Sequence, residues 1–111
     1  VSFRSRIRLP RWQPAAEADP ELVSRWEDFV AGLREHEFGH RDIGAEAART
    51  IRQRLTSFRW RACDDMTERA NGLGHEILDR FRGTERRYDR RTRHGSTQGA
   101  VWPPEDPAPA H

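Results

Sequence analysis

The chain contains no lysine and only one cysteine, and these scarcities limit what it can be. All 20 basic residues are arginine, and 18 acidic residues leave a formal net charge of only +2. Because the net charge is small, general binding to nucleic acid is not indicated. The lone thiol, Cys63, excludes a disulfide or a cysteine-based zinc cluster within these residues. No apolar run approaches the length of a membrane span, so none is expected.

The amount of apolar sequence predicts one small domain. The chain has 111 residues, of which 34% are hydrophobic and 34% are charged. A composition of this kind predicts a modest core along a few helix seams. We expect this domain to cover residues 1–102. The proline-rich segment 103–111 has almost nothing to bury, and it is predicted to be a disordered tail.

The first nine residues alternate apolar with polar side chains, which predicts a short β-strand. No partner strand follows, so we expect a sheet that lies mostly upstream of Val1 and a chain that is the C-terminal portion of a longer domain. No signal peptide opens the sequence. If the protein is exported, its signal has been removed or lies upstream.

Two long helices are predicted after this strand. Asp19 is a capping residue followed by Pro20, and from there apolar side chains recur every three or four residues. Asp64 or Asp65 begins a second helix, which ends near Thr92. Because the connection is short, we expect the helices to pack antiparallel. The predicted fold class is therefore α+β, mainly α in this chain.

Three glycines interrupt the first predicted helix, where each costs up to about 1 kcal/mol relative to alanine. Gly39 and Gly44 closely flank two histidines, and Gly32 precedes them. We interpret these glycines as room for a substrate backbone or a crossing element, or else as a local bend.

The first helix carries the sequence His-Glu-x-x-His. His36 and His40 lie one turn apart on the face that should meet the core, where two imidazoles can bind one metal ion. Zinc with three protein ligands keeps one position open for water. Glu37, beside the metal, could take a proton from that water as the general base. These residues predict a zinc-dependent hydrolase.

The third metal ligand has several candidates. His94 is the first choice because it follows the second helix in a glycine-containing turn, where a side chain can be aimed freely. Asp89 is the alternative, or it could hold a ligand histidine by its distal nitrogen. Glu85 and Glu76 are further candidates. Tyr88 could stabilise the oxyanion of a tetrahedral intermediate or could pack in the core.

Two motifs in this order resemble a bacterial domain family described as predicted secreted zinc-dependent proteases. They are His36-Glu37-x-Gly39-His40 and Tyr88-Asp89-x-x-Thr92-x-His94-Gly95-x-x-Gln98-Gly99-Ala100. The resemblance covers about Leu9 to Pro103. It implies a zincin-like metalloprotease that is secreted or periplasmic, with further β-structure upstream. It also implies a partner cysteine for Cys63 in that upstream part.

Three functions follow from these observations. The first is a zinc endopeptidase acting on a protein or peptide substrate. The second is a zinc amide hydrolase acting on cell-wall peptides. The third is a helical binding or structural module with an inert metal or none. Glu37 distinguishes them, because a structural site has no use for a carboxylate beside the metal. Seven arginines between Arg80 and Arg93 could favour an acidic substrate, or could form a solvated face with local ion pairs.

Overall fold

The computed structural model of the chain describes residues 1–104 and consists of helices and irregular segments. Helix α1 spans Pro20–Ser57 and helix α2 spans Met66–Thr92. A short 3-10 helix, η1, follows at Ser96–Gln98. No helix within the described part of the chain is both long and apolar enough to cross a membrane. The predicted tail lies mainly beyond the described residues.

The prediction of an α+β, zincin-like fold with an N-terminal strand is wrong. Residues 1–104 contain no strand, and the first nine residues are irregular. Alternation alone cannot make a strand, because a strand also needs a neighbour for its backbone hydrogen bonds. Phe3 instead lies against Gly44 of α1, where a methyl group in place of the glycine hydrogen would come within 2.6 Å of the ring. The Phe3 side chain therefore packs on helix α1.

Helix α1 begins, and helix α2 begins and ends, close to where the sequence predicts. The Asp19 carboxylate accepts a hydrogen bond of 3.0 Å from the backbone N–H of Glu21, which caps α1. Residue Asp65 directly precedes α2, and its carboxylate accepts a hydrogen bond of 2.7 Å from the Trp60 indole. Helix α2 ends at Thr92, as the glycine-containing sequence beyond it indicates.

The chain divides into two compact units, and two of the three boundaries between them fall inside a helix. The first unit comprises Val1–Ser5 and Gly39–Tyr88, and the second comprises Arg6–Phe38 and Asp89–His111. In the first unit, the parts of α1 and α2 run antiparallel. Its buried apolar side chains are Ala47, Ile77 and Tyr88.

In the second unit, an aromatic cluster occupies the place of a conventional core. Trp26 meets Trp102 edge-on, with ring centroids 4.9 Å apart, and meets Trp12 at 5.9 Å. Phe29 lies 5.3 Å from Trp26. Edge-to-face aromatic pairs stabilise a fold by more than the apolar area that they bury would predict. This cluster therefore anchors residues before and after the two helices to α1.

A close backbone approach explains one helical glycine in this unit. A methyl group at Gly32 would lie 2.6–2.7 Å from the backbone of residues Gln98, Gly99 and Ala100. The crossing-element interpretation of the glycines therefore holds at Gly32. The segment after η1 can contact α1 here only because Gly32 has no side chain.

Candidate metal centre

His36 is the most enclosed polar side chain of the described residues, with 5% of its surface exposed. Its Nδ1 lies 2.9 Å from Oε1 of Gln98 and 3.4 Å from Oγ1 of Thr92. Its Nε2 lies 3.0 Å from Oδ1 of Asp89. All four residues belong to the second unit, so both ring nitrogens of His36 face oxygen atoms within that unit.

His40 follows His36 by one helical turn and belongs to the first unit. Its ring meets the Tyr88 ring edge-on, with centroids 5.0 Å apart. Its Nδ1 lies 3.8 Å from Oε1 of Glu85, which is too long for a direct hydrogen bond but close enough for electrostatic attraction. These neighbours restrict the orientation of the imidazole.

His36, His40 and Asp89 form a group that could bind a metal ion. The two histidines lie four residues apart on one unbroken helix, so they share a face, and Asp89 contacts His36 directly. Two imidazoles and one carboxylate form a ligand set that suits zinc and leaves one coordination position for water. The donor chemistry therefore fits the metal that the sequence predicts.

Glu37 lies between the two histidines in α1 and is half-buried. A helical residue next to a ligand points about 100° away from it, so its carboxylate borders the face that carries the ligands. Glu35, on the other side of His36, is exposed. The two glutamates thus differ in environment although both neighbour the same histidine.

The structure brings Asp89, the alternative third ligand, into the group and leaves His94 outside it. His94 is exposed and has a left-handed backbone with φ of 56°. The backbone N–H of His94 donates a hydrogen bond of 2.8 Å to the backbone carbonyl of Asp89. This bond closes the C-terminal end of α2. The further candidate Glu76 is also exposed, and Glu85 faces His40.

Tyr88 is buried, with 8% of its surface exposed, and its phenol oxygen is directed at Gly39. A methyl group at Gly39 would overlap the phenol. This glycine therefore allows Tyr88 to lie against α1 beside His40, and the crossing-element interpretation holds here as well.

A cavity of about 370 Å³ lies in the first unit and is lined mainly by apolar side chains. Ile43, Ala47 and Ile51 contribute from α1, and Leu78 and Phe81 contribute from α2. Glu85, the neighbour of His40, also lines it. An apolar group in this cavity would therefore lie close to one of the candidate ligands.

Gln98 and Thr92 received no role from the sequence, although both stand in the second motif. Their contacts with Nδ1 of His36 depend on how the turn after α2 is folded. The signal that could have identified Gln98 is the pair Gly95 and Gly99, whose φ angles of 94° and 99° fix that turn. Gln98 lies between these glycines and is held in a defined position, whereas Thr92 is the last residue of α2.

Comparison with known proteins gives one match. The model of a family described as "Bacterial protein of unknown function (DUF922)" matches residues 1–95. No curated protein and no solved structure matches the chain. The match confirms that the chain resembles a bacterial family, but the family description states no activity, so the protease assignment and its two motifs stay predictions.

Proposed function

For this chain, which belongs to the bacterial DUF922 family, we propose the function of a zinc-dependent peptidase with Glu37 as its general base. The observation that carries the proposal is the group His36, His40 and Asp89 with Glu37 on the same helix. Two histidines and a carboxylate alone would also suit a structural site. A carboxylate next to such ligands is what hydrolysis requires.

The proposed ligands are the two imidazoles and the Asp89 carboxylate. Zinc bound there would polarise a peptide carbonyl and make water more acidic. Glu37 accepts a proton from water while the water oxygen forms a bond to the carbonyl carbon. The C–N bond then breaks, and Glu37 returns the proton to the leaving amine. Tyr88 is proposed to donate its phenol hydrogen to the carbonyl oxygen as negative charge develops there.

The apolar cavity supports a peptide substrate with a hydrophobic side chain. Its lining combines eight apolar side chains with two charged ones, Arg82 and Glu85, and Glu85 also faces His40. Burial of a leucine or phenylalanine side chain contributes about 1.5–3 kcal/mol of binding. Fluorogenic peptides that carry leucine or phenylalanine on either side of the scissile bond are therefore the appropriate first substrates.

The test of the proposed function is Glu37→Gln, assayed for zinc content and for peptide hydrolysis. The glutamine keeps the size of the side chain but cannot accept the proton, so we expect about one zinc per chain and a loss of turnover of at least about 100-fold. Glu35→Gln is the matched control, because Glu35 is exposed on the same helix. Hydrolysis that survives in Glu37→Gln would exclude this mechanism.

Export to the periplasm or the outside of the cell is part of the same proposal and rests on the resemblance of the two motifs to secreted proteases. Fractionation of bacteria that express the natural gene would locate the protein. Recovery of the protein only from the cytoplasm would contradict export without affecting the proposed chemistry.

A further inference from the structure

The imidazole of His36 lies between two hydrogen-bond acceptors. Oε1 of Gln98 faces Nδ1 at 2.9 Å, and Oδ1 of Asp89 faces Nε2 at 3.0 Å. An amide oxygen and a carboxylate oxygen can only accept. A hydrogen on Nδ1 satisfies Oε1 of Gln98 in this orientation, and Nε2 then offers Asp89 either a hydrogen or a shared cation.

The fold places Gln98 here through close backbone packing. Gly95 lies against the ring of His36, since a methyl group on Gly95 would come within 3.0 Å of His36 Cγ. Gly32, one turn before His36 in α1, leaves room for the backbone at Gln98. Both glycines that border η1 adopt left-handed φ angles. A side chain at any of these positions would displace Gln98 from His36.

We propose that Gln98 is a positioning residue that fixes the hydrogen of His36 on Nδ1 and thereby reserves Nε2 for the metal. Gln98 accepts the Nδ1 hydrogen, and Thr92 Oγ1 at 3.4 Å closes the same side of the ring. A ligand histidine held in this way keeps one tautomer and one ring orientation, and it is a stronger base towards the metal. The consequence for metal binding rests on the proposed function, whereas the position of the hydrogen does not.

His40 shows a related arrangement with a different partner. Its Nδ1 is directed at the Glu85 carboxylate, 3.8 Å away. Both histidines thus have an oxygen acceptor on the Nδ1 side. Gln98 is the closer of the two partners, and it acts on the more buried imidazole.

The test is nuclear magnetic resonance of the metal-free protein labelled with nitrogen-15 at histidine. We expect the wild type to show a hydrogen on Nδ1 of His36 that exchanges slowly with water. Gln98→Glu retains an acceptor and should preserve this signal, whereas Gln98→Ala should lose the slow exchange. Thr97→Ala, an exposed position in the same 3-10 helix, is the matched control.

Zinc affinity, measured by chelator competition on the same variants, provides the second readout. We expect Gln98→Ala to weaken zinc binding by roughly 10- to 100-fold and Gln98→Glu to restore most of it. Circular dichroism of each variant verifies that it is folded. A wild-type His36 without a hydrogen on Nδ1, or an unchanged signal in Gln98→Ala, would overturn the proposal. A wild type that shows the Nδ1 hydrogen but binds no zinc would refute the proposed function and leave the role of Gln98 intact.

Discussion

Asp89 and His94 occupy different kinds of position, and this difference decides which is the better third ligand. Asp89 is in the last turn of a long helix and contacts a buried imidazole. His94 is exposed, and it adopts a left-handed backbone that disfavours residues with a side chain. A side chain held by a helix is positioned more precisely for coordination than one on a strained, exposed turn.

Replacement of each residue should therefore have opposite consequences. His94→Gly removes the imidazole and relieves the left-handed backbone, so we expect about one zinc per chain and a gain in stability of roughly 1 kcal/mol. Asp89→Ala removes a proposed ligand. Loss of a hydrogen bond to a ligand weakens metal binding by roughly 10- to 100-fold, and we expect a larger loss of zinc affinity here. Elemental analysis and chelator competition measure both. Loss of zinc in His94→Gly with retention in Asp89→Ala would restore His94 as the ligand.

The sequence was sufficient to identify His36 and His40 as candidate ligands, because ligand spacing within one helix is a local property. It left the third ligand open among four residues, because the choice depends on which side chain of α2 meets α1. It gave Gln98 no role for the same reason. The contact joins residues 62 positions apart through a turn whose geometry two glycines determine.

At the scale of the helices, the glycines of α1 and α2 differ in what surrounds them. Gly39 lies under the Tyr88 phenol, whereas nothing lies within 4 Å of a methyl group placed on Gly72. Both residues are inside helices, where alanine is intrinsically favoured. Helix propensity and tertiary packing therefore predict opposite effects on stability at Gly39, whereas at Gly72 only helix propensity applies.

We expect Gly39→Ala to destabilise the protein by about 1–3 kcal/mol, because the methyl group overpacks against the phenol. Gly72→Ala should stabilise by about 0.5–1 kcal/mol. Urea unfolding followed by circular dichroism measures both. Adding Tyr88→Phe to Gly39→Ala should recover part of the loss, since it removes the overlapping oxygen. Equal stabilisation by the two alanines would show that Tyr88 does not press on α1.

The helix boundaries were predictable because their signals are local, namely the Asp19 cap, Pro20 after it and the glycines beyond Thr92. The strand prediction failed because alternation over nine residues contains no information about a partner. Phe3, one of the apolar residues in that alternation, lies against Gly44 of α1 and stays partly exposed. The period of a sequence pattern indicates which side chains share one face. Which other element packs on that face depends on the tertiary structure.

At the scale of the whole molecule, the apolar core is small. Three hydrophobic residues are buried within the described part of the chain, alongside the polar residues His36 and Thr92. A protein with so little buried apolar surface has low intrinsic stability. A ligand that binds only the folded state therefore makes a comparatively large contribution to its stability.

Zinc should consequently raise the melting temperature. At a free concentration 100 times the dissociation constant, we expect an increase of about 2.7 kcal/mol in the free energy of unfolding. A chelator should reverse the shift, and magnesium should not reproduce it, because this ligand set favours zinc. The measurement is thermal unfolding by circular dichroism, with His36→Ala as the variant in which the shift disappears. An identical melting temperature with and without zinc would contradict a specific site.

The distribution of tryptophan gives the molecule two separate optical reporters. Trp12 and Trp102 both contact Trp26, with ring centroids 5.9 and 4.9 Å away, so we expect the three residues to report on the second unit as a group. Trp60 belongs to the first unit, where it stacks on Phe58 under the Arg69 guanidinium. In Trp60→Phe the fluorescence originates from the cluster alone. The difference between the spectra of the wild type and Trp60→Phe gives the emission of Trp60. It reports on the first unit without any external dye.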